Sequence, residues 1–82
     1  MSKTLRSSAH LALMQVLVEQ RKAQGFTQTQ LAEALNRPQS FIAKIETGER
    51  RLDVIEFAEF VLALDVEPEF FLKPVLTALL ER

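Results

Sequence analysis

The stretch RPQSFIAKIETGERR, residues 37–51, holds four of the ten Lys and Arg side chains of the 82-residue protein between two helix-boundary signals. Pro38 suits the first position of a helix, where its missing N–H costs no hydrogen bond. Gly48 supplies the left-handed conformation that commonly ends a helix. The stretch therefore predicts a short helix from Pro38 to Thr47, with arginines before and after it.

The two sides of this predicted helix differ in chemistry. Ile42 and Ile45 are three residues apart, so they share an inward side. Phe41 flanks them, and we expect it to pack beside the next helix along the chain. The opposite side is small, flat and polar, and it carries Gln39, Ser40, Ala43 and Lys44.

A second helix is predicted just before this one. Thr27 and Gln30 fit a capping box, in which each side chain bonds the backbone amide of the other residue, and Phe26 and Leu31 form the matching hydrophobic staple. Asn36 tolerates the left-handed conformation and ends the helix. Two short helices joined by a tight turn describe a helix-turn-helix. The major groove of B-DNA, about 12 Å wide, admits one helix with a polar face of this kind.

The rest of the chain predicts further helices and no strands, because no segment alternates apolar and polar residues with period two. Helix one is predicted from about Ser8 to Ala23, with Ser7 or Ser8 as its cap. Helix four is predicted to begin near Asp53 and to end before Asp65, and Pro68 starts helix five. Glu56 completes a second capping box with Asp53. Pro74 either kinks helix five or starts a short sixth. The predicted fold class is all-α, a compact bundle of about five helices.

Composition limits the function classes. With 82 residues and 48% hydrophobic content, the chain suits one small globular domain over residues 1–82. It has no cysteine and one histidine, His10. We therefore expect no disulfide, no metal site, no cofactor and no catalytic triad, and hence no enzyme. The apolar run from Leu11 to Val18 is too short to span a bilayer, and the first residues lack an export signal. These features predict no membrane contact and a cytoplasmic location.

Charge is divided unevenly along the chain. Residues 1–52 carry eight Lys/Arg and four acids, a net charge of +4, whereas residues 53–82 carry two and seven, a net charge of −5. The whole chain has a formal net charge of only −1. Because phosphate binding depends on where cations lie and not on the overall isoelectric point, a polyanion is expected to bind the first part.

The segment FTQTQLAEALNRPQSFIAKIETGERR, residues 26–51, resembles the phage-repressor and Cro-like family, also called the xenobiotic-response-element (XRE) type of transcriptional regulator. The resemblance covers roughly residues 12–64. The residues that match the family pattern are Gln28, Gln39, Ser40, Ile42, Ile45, Glu46 and Gly48. It implies a lambda-repressor-like domain of five helices that binds double-stranded DNA as a homodimer.

The same resemblance implies a set of DNA contacts. Gln28 would hold a backbone phosphate at the start of helix two, where the helix dipole also favours an anion. Gln39 suits adenine and Lys44 suits guanine, while Arg50 and Arg51 would hold phosphates or reach toward the minor groove. The full predicted DNA-binding set is Thr27, Gln28, Arg37, Gln39, Ser40, Lys44, Arg50 and Arg51.

Arg37, which belongs to this set, and three positions outside it are interpreted separately. Arg37 stands where many family members have a small hydroxyl residue, and we interpret it as another phosphate contact. Phe41 stands where many members have a small polar residue, and packing beside helix four is the favoured interpretation over stacking on DNA. Arg21 and Glu46 match positions that commonly form an ion pair between helices one and three, so they are left out of the DNA-reading set.

Residues 66–82 are predicted to form a C-terminal helical extension with an apolar stripe. The stripe consists of Leu72, Val75, Leu76, Leu79 and Leu80. It either closes the core of the monomer or covers a second copy of the chain. We favour the second copy, because a two-fold dimer sets two recognition helices about 34 Å apart, one turn of B-DNA.

The sequence therefore predicts a DNA-binding transcriptional regulator, most simply a homodimeric repressor on an inverted-repeat operator. Two alternatives remain open. One is the antitoxin of a toxin–antitoxin pair, which would grip its toxin through the C-terminal apolar stripe. The other is a controller protein of a restriction-modification system, which can activate as well as repress. A protein partner, if any, would be a toxin or the transcription machinery.

Overall fold

The computed structural model of the protein describes residues 7–81, which form five α-helices and no strand. The helices are α1 (Ser8–Ala23), α2 (Gln28–Leu35), α3 (Gln39–Thr47), α4 (Val54–Leu64) and α5 (Pro68–Leu80). The all-α prediction is confirmed. None of these helices combines the length and the apolar character needed to cross a membrane.

Local capping chemistry sets most of the helix boundaries. The Ser7 hydroxyl caps α1 by accepting a hydrogen bond from the backbone amide of His10 at 3.1 Å. Both predicted capping boxes form, one between Thr27 and Gln30 and one between Asp53 and Glu56. Because these bonds satisfy amides that a helix start would otherwise leave unpaired, the sequence alone located the three starts.

Left-handed residues end the helices where the sequence predicted, with φ angles of 58° at Asn36 and 85° at Gly48. The prediction for Pro38 was wrong by one residue. Its ψ angle of 154° is extended, so Pro38 is the residue before α3 and not the first residue in it. The proline ring fixes φ near −70°, which fits both the last residue before a helix and the first residue inside it. The turn that begins at Asn36 places Pro38 in the first of these two positions. Pro74 lies inside α5, which continues to Leu80 without a sixth helix in residues 7–81.

The hydrophobic core draws at least one fully buried side chain from every helix. These side chains are Leu17, Leu31, Ile42, Ile45, Phe60, Leu64 and Phe71. Phe71 brings α5 into the core of the monomer, where its ring meets Phe57 edge-on at a centroid distance of 5.7 Å. Phe41 packs against Phe60 of α4 at 6.2 Å, as predicted. The core thereby fixes the inner side of α3 and leaves its polar side outside.

The outer surface of α5 remains apolar. Leu72, Leu76, Leu79 and Leu80 are between 41% and 86% exposed, whereas Phe71 on the same helix is fully buried. The helix therefore contributes Phe71 to the monomer core and also carries leucines with a large exposed fraction, of which Leu76 and Leu80 are the most exposed. The assignment of residues 66–82 to dimerisation stays a prediction.

A buried carboxylate, Glu56, joins α4 to both ends of α3. Arg50, just after α3, forms a two-pronged ion pair with it, each nitrogen–oxygen distance being 2.9 Å. Arg37, just before α3, approaches the same carboxylate at 3.4 Å and also bonds Glu59 at 3.1 Å. Glu56 further accepts the backbone amide of Asp53 at 3.0 Å. The hydrogen bonds from Arg50 outweigh the opposing effect of burial and lower the pKa of Glu56 from its ordinary 4.5 to about 2.

Replacement of one core leucine of α4 tests the assignment of its inner side. Leu64→Ala should lower the free energy of unfolding by about 2 to 5 kcal/mol, because it removes a fully buried side chain and leaves a cavity. Leu62→Ala, the same change at an 81% exposed position of the same helix, should change it by less than about 0.5 kcal/mol. Urea unfolding followed by circular dichroism gives both values, and equal losses would contradict the assigned orientation of α4.

The Glu56 ion pairs predict a pH dependence of stability. A carboxyl whose pKa is lower in the folded protein stabilises it above the unfolded pKa, and this contribution is lost as the pH falls through the folded pKa. Wild-type protein should therefore be more stable than Glu56→Gln at pH 7, and the difference should shrink between pH 4.5 and about 2. Urea unfolding of both proteins over this range measures it. If the difference in the free energy of unfolding between the two proteins stayed constant down to pH 2, the pKa of Glu56 would not be lowered by its ion pairs in the way described.

Candidate nucleic-acid interface

The two helices of the predicted DNA-binding unit are joined by a three-residue turn, residues 36–38. Asn36 adopts the left-handed conformation, and the backbone amide of Arg37 then donates to the carbonyl of Ala32 at 2.9 Å. This bond closes the end of α2 and reverses the chain, so that α3 crosses α2 with its inner residues in the common core. The arrangement is the helix-turn-helix that the sequence predicted.

A buried ion pair fixes α3 against α1. Arg21 donates to the two carboxylate oxygens of Glu46 at 2.6 and 3.1 Å, and both side chains are more than nine-tenths buried. The remaining end of the Arg21 guanidinium donates to the carbonyl of Phe26 at 2.8 Å. The predicted pair between helices one and three is confirmed, and it keeps both charges away from the outer face of α3.

The same Glu46 also orients the first predicted DNA contact. The Gln28 amide nitrogen donates to Glu46 at 2.8 Å, and the Gln28 amide oxygen accepts from the Gln39 nitrogen at 2.7 Å. A continuous polar chain thus runs from Arg21 through Glu46 and Gln28 to Gln39. The predicted roles of these two glutamines were separate, and their bond was not predicted because they are eleven residues apart and lie on different helices.

The bond to Gln28 leaves Gln39 competent to read a base. A primary amide has two N–H donors and an oxygen acceptor. One donor of Gln39 is engaged by Gln28, while the second donor and the oxygen form no hydrogen bond to any residue between 7 and 81. These are the groups that a glutamine uses on adenine N7 and N6. Gln28 restricts the position of the Gln39 amide and leaves these groups without a bond inside the described residues.

Ser40 and Lys44 lie one turn apart on the exposed side of α3. Neither side chain has a hydrogen-bond or ion-pair partner within the described residues. Thr27 also remains available: its oxygen accepts from the Gln30 amide at 3.0 Å, and its own hydroxyl hydrogen is free to point outward. The structure therefore brings Thr27, Gln28, Gln39, Ser40 and Lys44 to the start and outer face of the helix-turn-helix.

The three predicted arginines differ in their surroundings. Arg37 and Arg50 are held by Glu56, and both guanidinium groups lie over the Phe41 ring, at 4.6 and 4.8 Å from its centroid. Arg51 is exposed and has no carboxylate partner in residues 7–81. All three were predicted to contact DNA, and Glu56 was predicted only to cap α4. A capping box can be identified from the sequence, whereas a carboxylate shared by two arginines that are distant in sequence cannot.

Within residues 7–81, no group of three or more His, Cys, Asp or Glu side chains could hold a metal ion. The contacts that the site can make are hydrogen bonds from amides and hydroxyls and charge contacts from Lys44 and Arg51. These are the contacts that proteins make to base edges and phosphates.

Comparison with protein families gives a match to a helix-turn-helix model over residues 17–71, which includes all of α2, α3 and α4. Among solved structures, an XRE-family like protein from Pseudomonas syringae pv. tomato str. DC3000 is 43% identical, with a TM-score of 0.79. That match covers 93% of this chain and 93% of the other. A comparison with curated proteins finds no match.

Two restriction-modification controller proteins share the fold. C.AhdI from Aeromonas hydrophila is 29% identical with a TM-score of 0.70, over 76% of this chain and 94% of that one. Wild-type C.Esp1396I has a TM-score of 0.77 over 94% of this chain and 100% of that one, and at 23% identity it supports the fold alone.

These matches span the helices that carry the exposed polar face, and they agree with the resemblance found in residues 26–51. The protein belongs to the XRE/Cro-like helix-turn-helix family and is a DNA-binding transcriptional regulator.

Proposed function

We propose that the protein acts as a homodimer on an inverted-repeat operator and most simply represses transcription by occupying a promoter. The observation that carries the proposal is the face formed by Gln39, Ser40 and Lys44. The three side chains are exposed on α3, and the Gln39 amide is held in place by Gln28. A short helix with a pre-oriented polar face suits the major groove.

Base reading and phosphate binding fall to different residues in this proposal. Gln39, Ser40 and Lys44 select bases from the major groove. Thr27 and Gln28, at the N-terminal end of α2, hold a phosphate where the helix dipole favours an anion. Arg51 adds an unpaired cation next to α3, and it attracts the phosphate backbone regardless of sequence.

Dimerisation through the exposed leucines of α5 completes the proposal. A single small module makes too few contacts for tight specific binding, and a second half-site increases affinity without any new kind of contact. Leu76 and Leu80 are 57% and 86% exposed and lie one turn apart. Burial of such side chains against a symmetry-related copy is the usual way to cover an apolar stripe. A DNA partner also supports the predicted cytoplasmic location.

A controller of a restriction-modification system is the second candidate function. C.AhdI, a protein described as such a controller, is 29% identical to this protein, and the match covers 76% of this chain. A controller of this kind would share the operator-binding chemistry above but could activate as well as repress. The two candidates differ in the sign of regulation and in neighbouring genes, and not in the DNA-binding site itself.

Selection of bound sites from random duplex DNA tests the proposed operator. At about 0.15 M salt, where screening weakens nonspecific attraction, purified protein should enrich an inverted repeat with half-site centres about 10 base pairs apart. The matched variant Leu76→Glu should remain folded but lose the symmetric enrichment, because a charge in the proposed dimer surface disfavours association. Absence of any enrichment by folded wild-type protein would contradict the proposal and favour a partner-dependent function such as that of an antitoxin.

Two substitutions separate base reading from phosphate binding on the selected operator. Lys44→Ala should lose about 1 to 3 kcal/mol of discrimination at one base position, since it removes a contact to a base edge. Arg51→Ala should weaken binding to all sequences similarly and reduce the salt slope by about one. Fluorescence anisotropy at several salt concentrations, on the operator and on single-base variants, measures both. If both variants weakened every sequence alike, the division of roles would be wrong.

A further inference from the structure

Arg37 and Arg50 occupy equivalent positions at the two ends of the recognition helix. Arg37 lies in the turn before α3, Arg50 follows the C-terminal glycine cap of α3, and both reach Glu56 on α4. Arg37 has a second contact with Glu59, one turn further along α4. A nine-residue helix is therefore tied to its neighbour at both ends by the same short segment of α4.

The Phe41 ring lies between these two arginines and the core. The guanidinium carbons are 4.6 Å (Arg37) and 4.8 Å (Arg50) from the ring centroid, a distance at which cation–π attraction is appreciable. The ring is 92% buried and also packs against Phe60 of α4. Phe41 belongs to α3, so any movement of the helix would disturb both guanidinium contacts at once.

The charges of this cluster cancel. Two arginines face the carboxylates of Glu56 and Glu59, and Glu56 receives four hydrogen bonds, including its cap bond from Asp53. A phosphate that displaced Glu56 from either arginine would leave this buried carboxylate short of partners, which is unfavourable. Arg51, without a carboxylate partner in residues 7–81, offers its charge at no such cost.

We propose that Arg37 and Arg50 are positioning residues, which set the orientation of α3 on α4 through Phe41 and Glu56 and do not themselves hold phosphates. This replaces the phosphate-contact interpretation that the sequence suggested for both. A guanidinium is required at each position because its planar fork can use two nitrogens at once while it lies over a ring. Arg50 binds Glu56 with two parallel bonds, and Arg37 bridges Glu56 and Glu59 with one bond to each. A lysine keeps the charge and loses both properties.

Lysine substitutions test the positioning role. The measurement needs an operator, so this inference rests on the proposed function. Arg37→Lys, Arg50→Lys and the control Arg51→Lys are compared with wild type on the selected operator and on unrelated duplex DNA, by anisotropy over a series of salt concentrations. Arg50→Lys and Arg37→Lys should each lower affinity for the operator by about tenfold while leaving unrelated DNA and the salt slope unchanged. Arg51→Lys should behave as wild type, since the charge alone matters there.

Neutral substitutions supply the complementary measurement. Arg51→Gln should reduce the salt slope by about 0.9, the effect of one lost phosphate contact, whereas Arg50→Gln should leave it unchanged. Phe41→Leu, which alters no charge, should reproduce the loss of operator preference. All variants are measured at a temperature where circular dichroism shows them folded, so that lost affinity reports the orientation of α3 and not unfolding.

The opposite pattern would overturn the proposal. If Arg37→Lys and Arg50→Lys bound the operator as wild type, and the glutamine variants lost salt slope on all DNA, both arginines would be phosphate contacts. Wild-type affinity in every variant would equally exclude a positioning role. Failure of the proposed function is distinguishable, because wild-type protein itself would then show no preference for any selected sequence.

Discussion

The ion pair between Arg21 and Glu46 is the contact on which the exposed polar side of α3 depends. It holds α3 to α1 from within the protein, and its carboxylate also accepts the Gln28 amide, which in turn receives Gln39. Gln39, on the exposed side of α3, is thereby connected to a buried charge. Because the pair is desolvated, neither group can leave without exposing an uncompensated buried charge, and this gives the chain of amides a fixed starting point.

The surroundings of each cation, and not the number of cations, decide which of them can attract DNA. Arg21, Arg37 and Arg50 are each matched to a carboxylate inside the domain. Lys44 and Arg51 are without such a partner in residues 7–81. The first part of the chain is positive by formal count, yet much of that charge is used to hold helices together. Lys44, on the exposed side of α3, and Arg51, after its C-terminal end, are therefore cations whose charge no carboxylate in residues 7–81 neutralises.

Local signals allowed much of the fold to be predicted from the sequence. Thr27, Asp53 and Gly48 act through bonds or dihedral angles within a few residues, so their effects are visible in the order of the letters. Pro38 shows the limit of such signals, because its fixed φ fits two adjacent positions. The Gln28–Gln39 bond and the Glu56 cluster join residues that are distant in sequence, and only the packing of the helices brings them together. The family resemblance gave the correct pair for Arg21 and Glu46, whereas position alone did not reveal that Arg37 and Arg50 share an acceptor.

Helix α5 contributes both to the stability of the monomer and to the apolar surface that a second molecule could cover. Phe71 belongs to the monomer core, while the leucines that follow it on the same helix are exposed. A molecule that covers those leucines binds only the folded protein, in which Phe71 fixes α5 to the core. Its binding therefore raises the free energy of unfolding of the whole domain by mass action. A domain of this size has little stability to spare. Where a second copy is the covering molecule, turnover of the protein by proteases slows as its own concentration rises, and abundance and binding competence change together.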